Sequence, residues 1–160
     1  MDKLTVIKTE TEEMLKKMIE KYELEVTEEN GIFNIVIKTE EEAPTIIGRH
    51  GETIRAIQKI IEVIAYKNIG EPVNILVNVN DYREKQKERL ENLAAQAAER
   101  ARAEQRQTYL RGFSSYERRI MHEYITANYA DLTTYSIGEG KDRRLIIDLK
   151  KDGQEEQAAV

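Results

Sequence analysis

The 160-residue sequence contains no cysteine and only two histidines. Without cysteine there is no disulfide framework, no thiolate metal site and no cysteine nucleophile, which fits the reducing cytoplasm expected as its location. No run of about 18 apolar residues occurs, so no membrane insertion is expected. The N-terminal MDKLTVIKTETEE has no apolar stretch followed by a small-residue cleavage site, as a secretory signal would. There is no G-x-S-x-G, no G-x-x-x-x-G-K-[S/T] and no His/Asp/Glu grouping at metal-ligand spacing. The two histidines fall in different halves, and each is explained more simply as a phosphate contact than as a general acid or base. The expectation is a binding protein with no cofactor, no metal and no catalytic residue, rather than an enzyme.

What is present is charge, at 34% of residues, with a formal net of −5. A negative total argues against nucleic acid, but its distribution does not. Residues 1–42 hold twelve acids and six bases, whereas residues 43–111 hold nine acids and twelve bases. The middle is mildly basic and the ends are acidic.

Periodicity predicts a helix over about residues 10–22, with Met14, Leu15, Met18, Ile19 and Tyr22 on one stripe and Thr9 and Glu12 at capping-box spacing. LEV and IFNIVIK read as strands around an Asn30-Gly31 turn, with Phe33, Ile35 and Ile37 facing one way. EEAPTIIG is a short helix with Pro44 at its start and Gly48 at its end. A longer helix over residues 51–66 follows, with Ile54, Ile57, Ile60, Ile61 and Ile64 as its stripe. Val73, Ile75, Val77 and Val79 alternate in a third strand. The order αββααβ implies helices on one face of a three-stranded sheet. A long helix then runs to about residue 109, with Leu90, Leu93, Ala94, Ala97, Ala98 and Ala101 along one side. Ser114 and Glu117 have capping-box spacing before a helix to about Asn128, and DLTTYSIG and RRLIIDLK read as a hairpin. The second half is thus expected to be helix, helix, strand, strand. The expected division is residues 1–80, residues 81–151, and a frayed tail 152–160.

The stretch PTIIGRHGETI places Gly48, Arg49, His50 and Gly51 between an isoleucine pair and the isoleucine helix. Glycines permit close backbone approach, and a helix start offers N–H groups and the positive dipole end to an anion. Arg49 and His50 can reach phosphate oxygens. Ile46, Ile47 and Ile54 are expected to line an apolar trough for unstacked bases. The bland alternative is a plain helix–turn–helix, since a bare GxxG is common.

APTIIGRHGETIRAIQKIIEVIAYKN resembles the KH domain, and the element order resembles its type II, prokaryotic arrangement. The resemblance implies that Gly48, Arg49, His50 and Gly51 meet a nucleic-acid backbone, with Ile47 and Arg55 as additional contacts. In SSYERRIMHEYI, Arg118 and His122 are four apart, hence neighbours on one helix side. YERRIMHEYI with LTTYSIGEGKDRRLII resembles the small domain named for an arginine separated by three residues from a histidine. That domain binds single-stranded nucleic acid, which implies Arg118 and His122 as contacts and Arg119 and Arg143 as extensions. The overall expectation is an α+β chain: a type II KH domain joined by a long helix to a small α+β domain.

The two resemblances in this order are similar to the bacterial Jag family, also called KhpB or EloR. The family implies single-stranded RNA as ligand, or single-stranded DNA in its place, and a small KH-domain protein as partner. It also implies a post-transcriptional role linked to cell elongation or division. On this reading the further N-terminal domain of many members is not part of the sequence. The competing reading is a protein–protein adaptor that docks through the acidic first helix and the long helix.

Overall fold

The computed structural model describes residues 2–151. The chain divides into two compact units, Met1–Arg83 and Glu84–Val160, so the boundary falls inside a helix. The tail expected to fray lies outside the described residues.

The first unit follows the order α1 (Lys3–Leu15), β1 (Glu23–Glu29), β2 (Ile32–Lys38), α2 (Ala43–Ile47), a short 3-10 turn (Arg49–Gly51), α3 (Glu52–Ile69) and β3 (Asn74–Val79). This is the αββααβ order, with sheet order β1-β2-β3. β1 and β2 form a hairpin whose register pairs Glu29 with Ile32. The two residues between them, Asn30 and Gly31, both have positive φ, at 53° and 78°. That is the demand of a tight two-residue turn whose twist matches the strands. β2 and β3 run parallel, which requires a crossover, and α2 with α3 supplies it. The register sets Phe33 beside Ile75, Ile35 beside Val77 and Ile37 beside Val79, so the inward rows of both strands coincide. All six are buried against Ile7 and Leu15 of α1 and Ile54, Ile57 and Ile61 of α3. Each such side chain contributes roughly 1.5–3 kcal/mol on leaving water.

Two sequence expectations change here. α1 starts at Lys3 and ends at Leu15, rather than spanning residues 10–22. Val6, Ile7, Thr11 and Leu15 carry its buried side, and the Thr9/Glu12 pair sits mid-helix instead of capping it. The stripe runs further upstream than Met14, which the acidic, threonine-rich start obscures. Thr11 is tolerated inside because its hydroxyl donates to the Ile7 carbonyl at 2.7 Å. In α3 the buried set is Ile54, Ile57, Ile61 and Ala65, while Ile60 is 49% exposed and Ile64 half-buried. A single helix presents one row to a sheet, and Ile60 lies outside it.

The second unit is built on α4 (Tyr82–Glu104), then β4 (Thr108–Leu110), α5 (Ser115–Asn128), β5 (Leu132–Ile137) and β6 (Arg144–Leu149). Its antiparallel sheet has the order β4-β6-β5. Leu90, Ala94, Ala97, Ala98 and Ala101 of α4 pack with Met121 and Ile125 of α5 and with Leu132, Leu145 and Ile147 of the sheet. α4 ends at Glu104, short of the expected residue 109. Gln105 turns to φ 51°, and residues 108–110 pair with β6 as an edge strand. The order is therefore helix, strand, helix, strand, strand. Three residues are too few to show strand periodicity, so only the partner β6 defines β4. The capping box at α5 forms as expected: Ser114 Oγ accepts from the Glu117 N–H at 3.2 Å, and Glu117 Oε2 accepts from the Ser114 N–H at 2.8 Å.

Candidate nucleic-acid interface

The bend between α2 and α3 is held by backbone that few residues adopt. Gly48 has φ 71° and ψ 177°, a region open essentially only to glycine. A Cβ there would lie 2.8 Å from Thr53 Cβ and 2.9 Å from the Thr53 nitrogen. His50 (φ 54°) and Gly51 (φ 72°) are also left-handed. The Gly51 N–H donates to the Gly48 carbonyl at 3.3 Å, closing the turn. Arg55, one turn into α3, donates from Nη1 to the His50 carbonyl at 2.9 Å, so it braces the bend from below. Arg49 is exposed at the tip and has no hydrogen bond or ion pair among the described residues. The bend thus presents one uncommitted guanidinium above a helix start.

Ile46 and Ile54 do not line a trough. Both are buried in the core, at 0% and 2% exposure, and Ile47 alone remains half-exposed beside the bend. The alternation of apolar residues around GRHG fixes the bend to the sheet rather than offering surface to bases.

Three residues at the site are not legible in the sequence. A Cβ at Gly51 would meet the Tyr82 ring at 3.2 Å, so Tyr82, at the start of α4, packs directly under the bend. Arg83 donates from Nε to the Val77 carbonyl at 2.6 Å and from Nη2 to Gln58 Oε1 at 3.0 Å. Gln58 Oε1 also accepts the Val77 N–H at 3.2 Å. β3 is an edge strand, and this pair satisfies its outward backbone groups at Val77. The one usable signal is an aromatic at the start of an otherwise Ala- and charge-rich helix.

In the second unit, Arg118 and His122 stand one turn apart on α5, both half-buried. Arg118 donates from Nη1 to the Phe113 carbonyl at 2.7 Å and from Nη2 to Ser115 Oγ at 3.1 Å. Burial and the nearby Arg143 charge hold its guanidinium below the usual arginine range. Two cations kept close form a place that favours an anion. Arg143 is itself anchored, donating from Nη1 to the Gly138 carbonyl at 2.9 Å. His122 Nδ1 is hydrogen-bonded to the hydroxyl of Thr134 on β5, which fixes the ring orientation. Nothing in the sequence pairs Thr134 with His122; only the fold does. Arg119 is not drawn into this cluster: its Nε lies 3.0 Å from Glu123 Oε1 in an exposed pair.

Among the described residues there is no group of three or more His, Asp or Glu able to hold a metal ion, and no helix long and apolar enough to cross a membrane. Two separate clusters of donors can bind anions by charge and hydrogen bonding, one at the bend and one on α5.

Comparison with known proteins agrees with this layout. Residues 8–77 match the model of the KhpA/KhpB KH domain. Residues 88–149 match that of the domain named for its Arg-x-x-x-His spacing. The RNA-binding protein KhpB of Bacillus subtilis is 33% identical over 115 residues, 71% of this chain and 55% of that protein. The RNA-binding protein KhpB of Lactiplantibacillus plantarum is 32% identical over 106 residues, 66% of this chain and 33% of that protein. In the protein of the same name from Streptococcus pneumoniae serotype 2, identity is 30% over 146 residues, 89% of this chain and 44% of that protein. The chain spans about half the length of the relatives it matches, or less. With a KhpA/KhpB-type KH domain followed by an Arg-x-x-x-His domain, and with these relatives along most of its own length, the chain belongs to the Jag/KhpB family.

Proposed function

We propose that the chain binds single-stranded RNA without catalysis, gripping the phosphodiester backbone at the 48–51 bend and again at Arg118 and His122. The observation that carries this reading is Arg49: an exposed guanidinium without a described partner, on a glycine-bracketed bend that opens α3. Backbone clamping by a GxxG loop is the way such domains hold about four nucleotides. The RNA binding named for the relatives supports the same ligand, with single-stranded DNA as the competitor to exclude. A post-transcriptional role linked to cell elongation or division goes with the family resemblance.

The test is a fluorescence-anisotropy titration with a labelled 12-nucleotide RNA and its DNA equivalent. Arg49→Asp with His50→Asp is expected to weaken RNA binding at least tenfold, and added salt to weaken wild-type binding through counterion release. Unchanged affinity in that variant overturns the reading.

A second reading has its own observation. Ile60, Val63 and Tyr66 are all exposed on α3, at 49%, 58% and 55%, an apolar strip suited to a protein partner such as a small KH-domain protein. It differs in place from the acidic first helix and the long helix suggested by the sequence. Val63→Lys is expected to abolish such an association in analytical ultracentrifugation while leaving RNA affinity intact.

A further inference from the structure

The second sheet has helices on one face only, and the other face has an unusual composition. The register sets Tyr109 of β4, Ile146 of β6 and Tyr135 of β5 in one row, so all three point to the same side. Leu145 and Ile147, on either side of Ile146 in sequence, belong to the helix-packed core, and Ile146 does not. The row therefore lies on the face away from the helices. Ile146 is nevertheless only 3% exposed, while Tyr109 is 54% exposed and Tyr135 half-exposed. Two flanking tyrosines thus cover a central isoleucine and keep their own rings at the surface. Two residues along β6, Arg144 takes the same side and sits 5.4 Å from the centre of the Tyr109 ring. Asp148 takes the same side at the opposite end of β6.

We infer that this outer face, formed by Tyr109, Tyr135 and Arg144, is a second RNA-contacting surface on which unpaired bases stack. The inference rests on the RNA-binding reading above and adds base contacts to it. Three arguments select nucleic acid as the occupant. Exposed aromatic rings on an open sheet, with an arginine plane beside one of them, are the chemistry that stacks bases with little regard to sequence. Tyr109 and Tyr135 are two strand spacings apart, about 10 Å, so they offer two separate stacking positions. Last, consecutive strand residues point to opposite faces. Arg144 therefore goes to the tyrosines while Arg143 goes to the other side, where its charge acts on Arg118. The Arg143-Arg144 pair straddles the strand end and makes the anion-binding cluster on α5 continuous with the tyrosine face. A single strand whose phosphates sit at Arg118 and Arg143 passes over that end with its bases directed to the rings.

The test uses the full chain and the 12-nucleotide RNA. Tyr109→Leu with Tyr135→Leu keeps apolar cover over Ile146 but removes both π faces; Tyr109→Phe with Tyr135→Phe keeps the faces. The leucine pair is expected to lose roughly 5- to 100-fold in affinity, from stacking worth ~1–3 kcal/mol per base. It should leave the slope of log affinity against log salt unchanged, because no phosphate contact is removed. The phenylalanine pair should bind as wild type. The chain has no tryptophan, so Tyr109→Trp supplies a unique reporter whose emission should be quenched as RNA is added. Wild-type affinity in the leucine pair, or no change in the tryptophan signal while anisotropy reports binding, overturns the inference and leaves the RNA reading standing. Reduced self-association with unchanged RNA affinity identifies the face as a protein contact and equally overturns it. If the wild-type chain binds no RNA, the broader reading has failed and this one with it.

Discussion

Gly48 is the position at which one atom decides whether the bend exists. Its φ and ψ lie where a side chain costs about 1–3 kcal/mol of backbone strain, and an added Cβ would also overlap Thr53, whose nitrogen is backbone and cannot swing aside. Gly31 is the natural control: its φ is also positive, at 78°, but nothing lies within 4 Å of a Cβ there. Gly48→Ala is therefore expected to lower the urea midpoint more than Gly31→Ala and to weaken RNA binding, which Gly31→Ala should spare. Equal midpoints for the two variants would show that the Thr53 contact is relieved by local movement. Glu52 offers a test with two opposite signs. It is exposed in the first turn of α3, where its charge suits the helix dipole but opposes an approaching phosphate. Glu52→Gln should lower stability by about 0.3–1 kcal/mol. It should also raise RNA affinity at low salt, an effect that fades as salt is added. If affinity falls together with stability, the phosphate does not approach the start of α3.

At the scale of elements, α5 shows how local sequence and tertiary contacts combine. Its capping box is legible from Ser114 and Glu117 alone, but the structure gives Glu117 a further task. It is 3% exposed, and its Oε1 accepts from the buried Gln86 amide at 3.4 Å. Ser114→Ala should cost about 1 kcal/mol by urea unfolding, as cap losses do. Glu117→Ala should cost more, because it also strands a buried amide. The Arg102–Asp131 pair ties α4 to the turn before β5. The hydrogen bond from Arg102 holds the Asp131 carboxyl below its ordinary range. A carboxylate lowered in the folded state stabilises above its unfolded value of about 3.9, and that contribution is lost as pH falls through the lower folded value. Asp131→Asn should therefore be less stable than wild type near neutrality, and the two should converge in strong acid; a gap that persists there assigns the effect to packing. Local sequence conveys only part of such an arrangement. Hairpin turn, capping box and isoleucine rows are signals written within a few residues, and they are readable. The start of α1, strand β4, and the Tyr82, Arg83 and Thr134 contacts depend on partners far along the chain, so no local pattern announces them. Ile46 and Ile54 depart from expectation because apolar residues beside a bend read alike whether they face the core or a ligand.

For the whole molecule, the question is how a chain of net charge −5 holds a polyanion. The total is misleading because screening limits exposed charges to neighbours within about 8–10 Å. Twelve of the acids lie in residues 1–42, ahead of the bend, whereas Arg49 at the bend and Arg118 with Arg143 act locally. Two such sites on one chain should behave as tethered weak binders, the second contact being raised by effective concentration. RNA length separates this from one dominant site. A 4-nucleotide RNA is short enough to fill one grip only, since a GxxG loop takes about four nucleotides. With it, Arg118→Ala should leave intact whatever binding occurs at the bend. A 12- to 20-nucleotide RNA should be weakened by Arg49→Ala and by Arg118→Ala alike, and each should shallow the salt slope by about 0.7 for one lost phosphate contact on a single strand. If the long RNA responds to only one of the two substitutions, the tethered account is wrong and a single domain does the binding. If it responds to both, the gain from short to long RNA measures the second grip together with its adjoining tyrosine face, and the leucine pair at Tyr109 and Tyr135 apportions that gain between phosphate and base.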